Sequence, residues 1–294
     1  MKRAAVAVVG TISTAAFAYS VYALGLAHIQ VSLGQVGWGF AVILLLSGLR
    51  EAGRALAWSR VVEAPFELPL GEAFWARLAG EALNTLLPMG MVVGEPAKAH
   101  HVTHRLPFAT AFGALMIELA FYSVSVVALF VAAAVMAFPA SIVLAIVALL
   151  IAFVMVARFR KSPRIFQPLL AFAARQRRRV WLIAALELSF HALSIAEVYV
   201  TLVLISPVAP AFTSAIALEI VNRGVAVVFK MLPMRIGVDE ASAAMVAHQL
   251  ALGSSTGVML ALIRKLRILC WCGIGLAFTL SRAIQVRGQR AVHV

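Results

Sequence analysis

Apolar residues run along this chain in stretches close to twenty residues or longer, and the polar residues between them are sparse and clustered. A hydrocarbon core of about 30 Å takes about 20 residues of helix to cross. Runs of that order occur at 4–26, 37–57, 107–137, 140–157, 180–205 and 256–281, and each predicts a spanning helix. Two further apolar segments, 71–105 and 211–252, are interrupted by Pro, Gly and charged residues. These predict helices broken at membrane depth, which persist only where the freed backbone groups are buried in protein or face a wet cavity.

The two interrupted segments share a motif. LPMGMVVGEPA (87–97) aligns without a gap to LPMRIGVDEAS (232–242), so Pro88 and Pro233 each stand seven residues before a glutamate, Glu95 and Glu240, at a separation of 145 residues. A shift of about half the chain is the signature of an internal duplication. Pro88 and Gly94 in the first copy, and Pro233 and Gly237 in the second, are the expected helix breaks. If each broken segment enters and leaves on one side, each half crosses three times and the second half lies upside down relative to the first. The expected fold is all-α: a polytopic integral membrane protein of two inverted-topology repeats, 1–138 and 139–294, each with three spans and a re-entrant broken helix. In such folds the half-helix ends meet near the midplane and form the substrate site.

Composition agrees: 63% of residues are hydrophobic, 13% are charged and the mean hydropathy is +0.98, outside the range of a soluble domain. The +13 net charge raises nucleic-acid binding as an alternative, but its distribution favours a membrane. Lys and Arg gather at the N-terminus, in 50–77, at Lys98 and Arg105, in 158–179 and in the C-terminal tail, while 28–37, 138–141 and 206–211 hold none. The positive-inside rule then places the basic stretches and both termini in the cytoplasm. The stretch from Lys161 to Arg179, basic at both ends and apolar between, reads first as a plain orientation signal and second as a segment lying along the inner leaflet. The opening residues imitate a secretory signal, with Ala-Phe-Ala at 16–18, but are expected to stay as the first span. Cys270 and Cys272 point to different helix faces and make no metal site.

The runs GEALNTLLPMGMVVGEPAKAHHV, FHALSIAEVYV, LEIVNRGVAVVFKMLPMRIGVDEAS and ALIRKLRILCWCGIGL resemble the flippase-like family that shares the transmembrane region of lysylphosphatidylglycerol synthases. Their order is most similar to that of the hopanoid-biosynthesis-associated membrane proteins. The resemblance implies a multi-pass protein of the bacterial inner membrane that handles anionic phospholipids or isoprenoid-linked lipids and transfers them between leaflets. The matching positions are Asn84, Pro88, Gly94, Glu95, Pro233, Gly237 and Glu240. His100, His101, His104 and Arg235 depart from the family pattern and leave the lipid class open.

Ionisable side chains inside a bilayer cost about 2.5 to 3.5 kcal/mol each on insertion scales, so they face partners or a cavity. Helical spacing pairs Glu219 with Arg223, and Arg77 with Glu81. Arg264, Lys265 and Arg267 have no acidic neighbour on their own helix; they either pair with Glu95, Asp239 and Glu240 or hold a lipid phosphate, for which planar Arg donors are well suited. Asn84, Glu95, Arg223, Glu240, Arg264, Lys265 and Arg267 are the expected substrate-binding residues, with Glu95 and Glu240 meeting in one central polar cavity. Glu118, Glu187 and His191 form a candidate proton relay. His100, His101 and His104 read as an interfacial cluster rather than a metal site. No Gly-rich phosphate loop, zinc motif or nucleophile elbow occurs, so no catalytic residue, metal or cofactor is expected. The partners expected are membrane lipid and the bilayer, with no nucleic acid and with a homo-oligomer left open. A membrane-embedded transferase and a scaffold for lipid-synthesis enzymes are the alternatives to a translocator.

Overall fold

The computed structural model describes residues 15, 22, 26–87, 90–137, 163–229 and 232–291. The predicted span 140–157, most of the span 4–26, and Pro88 itself lie outside them. Among the described residues the fold is entirely helical: α1 (Leu26–Val36), α2 (Gly39–Val61), α3 (Leu70–Leu86), α4 (Met91–His101), α5 (Phe108–Ala137), α6 (Pro163–Arg175), α7 (Arg177–Ile205), α8 (Phe212–Val228), α9 (Val238–Gln249) and α10 (Ser254–Ala291). Residues 108–133 of α5 and all of α7 are long and apolar enough to cross a membrane. At about 1.5 Å per residue, the 29 residues of α7 extend beyond a 30 Å core.

Both interrupted segments are helix-break-helix units. The first is interrupted between the end of α3 at Leu86 and the start of α4 at Met91, and the second between α8 and α9, where Pro233–Arg235 form a short 3₁₀ turn. At that second break the backbone enters the left-handed region at Met234 (φ 52°), Arg235 (φ 45°) and Gly237 (φ 86°). Only glycine adopts this region freely, and a non-glycine residue held there costs on the order of 1 to 3 kcal/mol. Burial of Met234 against Ala82, Leu86 and Leu269 opposes that cost, and the same packing brings the second break against α3 of the first.

Gly94 is not a break. It lies inside α4, and its role is close approach: a Cβ there would overlap Asn84 Oδ1 and stand 2.5 Å from the Gly80 carbonyl oxygen. Hydrogen at these positions lets α3 and α4 fold back on one another, as small residues do between membrane helices.

Helix order recurs in the two halves. Shifting α2, α3, α4 and α5 by 145 gives 184–206, 215–231, 236–246 and 253–282, while α7, α8, α9 and α10 occupy 177–205, 212–228, 238–249 and 254–291. The corresponding helices α2 and α7 pack extensively on each other at the centre. One apolar core surrounds Trp58, Ala76, Leu115, Phe172 and Ile183, and a second surrounds Leu202, Leu218, Ala247 and Leu260. Phe172 also anchors α6, whose Arg175 pairs with Glu63 at 3.1 Å.

Candidate functional site: a charged cleft among apolar helices

The centre of the molecule is ionic. Arg50 on α2 donates to Ser194 at 2.7 Å and to Glu197 at 3.2 Å on α7, and Arg267 on α10 pairs with the same Glu197. Glu219 is likewise held by two cations, Arg223 at 2.7 Å and Arg264 at 3.1 Å. Arg223 also donates to Tyr122 and Ser194 at 3.0 and 2.8 Å. These four arginines face two carboxylates, so this side of the centre carries surplus positive charge. Phe190 adds its ring face, 4.9 Å from the guanidinium carbons of Arg50 and Arg223.

The other side has the opposite balance. Arg54 pairs with Glu118 at 2.8 Å and with Glu187 at 3.6 Å. Arg77 reaches Glu118 at 3.2 Å and stands 3.9 Å from both Glu51 and Glu81. Lys98 closes the network on Glu95 at 2.7 Å and Glu81 at 3.0 Å. Asn84 donates to Glu95 at 2.8 Å and to Glu81 at 3.1 Å. Five carboxylates here face three cations.

Between the two basins an open cleft of about 100 Å³ lies where α2, α3 and α10 meet. Arg50 and Glu51, Glu81 and Thr85, and Arg267 and Trp271 line it, pairwise from those helices. Four buried polar atoms of these residues have no hydrogen-bond partner: Arg50 Nε, Arg267 Nε, Trp271 Nε1 and Glu51 Oε2. Buried polar atoms are nearly always satisfied in folded proteins, and these three idle donors and one idle acceptor belong to residues around one opening.

The structure redistributes the residues expected from sequence. Glu95 and Glu240 have different partners, and neither lines the cleft. Glu95 belongs to the Lys98–Asn84 group. Glu240 accepts from the Gly237 backbone N–H at 2.8 Å and pairs with Lys265. Each glutamate pairs with a lysine; Glu240 also caps the start of α9, whereas Glu95 ties α4 to Asn84 of α3. Of the triplet, Arg264 and Arg267 pair with Glu219 and Glu197 rather than with Glu95 or Asp239, while Lys265 takes Glu240 as one of the expected partners. Asp239 pairs with Arg235 at 3.1 Å. Arg267 alone of the three lines the cleft. His191 faces Ser125 at 3.0 Å, whereas Glu187 and Glu118 meet at Arg54. His104 stands 3.2 Å from Glu72, and among the described residues no His, Cys, Asp and Glu side chains gather as metal ligands.

Arg50, Arg54 and Lys98 are the residues that sequence reasoning misplaced. Counted as cytoplasmic basic charges, they are 9%, 7% and 1% exposed and help form the ionic centre. Arg50 and Arg54 are one helical turn apart inside an apolar span, and that spacing is the signal for a shared inward face.

The family model described as the lysylphosphatidylglycerol synthase TM region matches residues 4–274 of the chain. No curated protein and no solved structure matches.

Proposed function

Because this chain belongs to the family of the lysylphosphatidylglycerol synthase transmembrane region, a family of membrane proteins that handle lipids, we propose that it translocates lipid between the leaflets of the bacterial inner membrane. The headgroup passes through the cleft between α2, α3 and α10 while the acyl or isoprenoid tails stay in the bilayer. One observation carries this reading: charged groups with idle hydrogen-bonding atoms line an opening among apolar helices. A headgroup leaving water loses its hydration, and such a wall offers replacement partners. The substrate is drawn from phospholipids or isoprenoid-linked lipids, and the likeness to hopanoid-associated proteins belongs to this proposal.

Two halves, 1–138 and 139–294, in inverted orientation supply the scaffold, with both termini and α6 on the cytoplasmic side. The recurrence of helix order at a shift of 145 residues and the position of the basic residues support that arrangement. Arg267 and Arg50 contact the headgroup. Arg223, Arg264 and Lys265, with Glu95 and Glu240, hold the wall in place through their ion pairs. The experiment is reconstitution of the full chain into vesicles containing an acyl-labelled phospholipid, followed by reduction of outer-leaflet label. Loss of label beyond one half, relative to protein-free vesicles, is the expected result. Retention of the inner half would refute translocation, and conversion of the lipid to a new product would establish a transferase instead.

A further inference from the structure

We propose that the cleft selects a zwitterionic headgroup, one phosphate joined to one primary ammonium as in a phosphoethanolamine lipid, rather than a purely anionic one. The proposal deepens the translocator reading and rests on it for the direction of movement only; the binding preference stands on the cleft itself.

The two walls of the cleft differ in sign. Arg50 and Arg267 share a single ion-pair partner, the Glu197 carboxylate, so at contact range two cations face one anion. Their Nε atoms and Trp271 Nε1 are the idle donors. Three N–H groups without acceptors match the oxygen-rich phosphate, whose oxygens accept and never donate when ionised. Facing them, Glu51 has Arg77 as its one ion-pair partner within 4 Å, at 3.9 Å, and its Oε2 accepts no hydrogen bond. Glu81 beside it is shared between Lys98 and Asn84. Arg77 in turn is committed at closer range to Glu118, at 3.2 Å, so the Glu51 carboxylate has no cation at close ion-pair distance. An ammonium has three donors and no acceptor, which is the complement of that wall.

A purely anionic headgroup would satisfy the arginines and bring its charge toward Glu51 and Glu81. A headgroup with phosphate and amine satisfies both walls at once. Matching both signs is how a site gains selectivity, since the wrong ligand leaves a buried charge unpaired.

The test uses the full chain in nanodiscs containing equal amounts of phosphatidylethanolamine, its N-acetylated derivative and phosphatidylglycerol, with retained lipid identified by native mass spectrometry. N-acetylation removes the ammonium and keeps the phosphate. Phosphatidylethanolamine is expected to be retained roughly tenfold over either competitor, a difference of about 1.4 kcal/mol. Glu51→Gln is expected to bring the ratio to its N-acetylated form near one. Equal retention of the three lipids by the unaltered protein would overturn the proposal, as would an undiminished preference in Glu51→Gln. Vesicles carrying the same three lipids with acyl labels separate the two readings. Transfer of all three at one rate sinks the headgroup selectivity and leaves translocation standing, whereas selective retention without transfer sinks translocation and leaves the site.

Discussion

Arg50 reaches Glu197 at 3.2 Å across 147 residues of sequence, so a cation from the first half of the chain closes on a carboxylate of the second. Arg267 takes the same carboxylate from α10. The halves are thus joined by charge in a region whose surroundings are apolar, where an ion left without its partner is expensive. This explains why the helices that carry the ionic centre tolerate it, and why the cleft opens beside it.

The first prediction concerns Arg54. It is 7% exposed and stands between Glu118 and Glu187, which are 1% and 0% exposed. Arg54→Leu leaves two buried carboxylates under-compensated and is expected to cost about 3 to 5 kcal/mol, seen as loss of monodisperse protein after detergent extraction. Adding Glu118→Gln and Glu187→Gln is expected to restore most of the yield. A well-behaved single variant would show that the pair does not hold the fold.

A second prediction addresses the α3–α4 hairpin. Gly94→Ala places a methyl group on Asn84 Oδ1 and the Gly80 carbonyl, and is expected to lower stability by about 1 to 3 kcal/mol. The thermal midpoint in detergent is the measurement. The same substitution at Gly53, which has no atom within 4 Å of the added carbon, is expected to leave the midpoint unchanged or raised, because alanine favours helix.

Legibility from sequence followed the range of each interaction. The two breaks announce themselves locally, through Pro, Gly and the repeated Leu-Pro-Met, and the helices are interrupted there. Glu219–Arg223 and Arg77–Glu81 are one turn apart, and the structure pairs both, at 2.7 and 3.9 Å. Family membership was legible in the motif runs and holds over residues 4–274. The centre was not legible, because Arg50–Glu197, Arg267–Glu197 and Arg264–Glu219 join residues 147, 70 and 45 apart. Only the packing of α2, α7, α8 and α10 decides such partners. Lys98, Arg50 and Arg54 were not read as members of the ionic centre because a count of basic residues carries no information on burial. Gly94 was read as a break because glycine beside proline suggests one, whereas its missing side chain serves helix contact.

Topology supplies a third prediction. Ala174 precedes α7 and Ala209 follows it, and both are exposed. In a background with Cys270 and Cys272 replaced, Ala174→Cys is expected to react with a membrane-impermeant maleimide only after the cells are opened, and Ala209→Cys in intact cells. Reaction of both from the same side would remove α7 as a span and the inverted arrangement with it.

The most direct test of translocation through the cleft is a reversible plug. Thr85 lines the opening and is only partly buried, so Thr85→Cys, with Cys270→Ser and Cys272→Ala, offers one thiol to a bulky methanethiosulfonate. In reconstituted vesicles the labelled protein is expected to transfer acyl-labelled phosphatidylethanolamine at least about tenfold more slowly, a barrier increase of about 1.4 kcal/mol, and to recover when a reductant removes the plug. Unchanged transfer by fully labelled protein would contradict passage through this cleft.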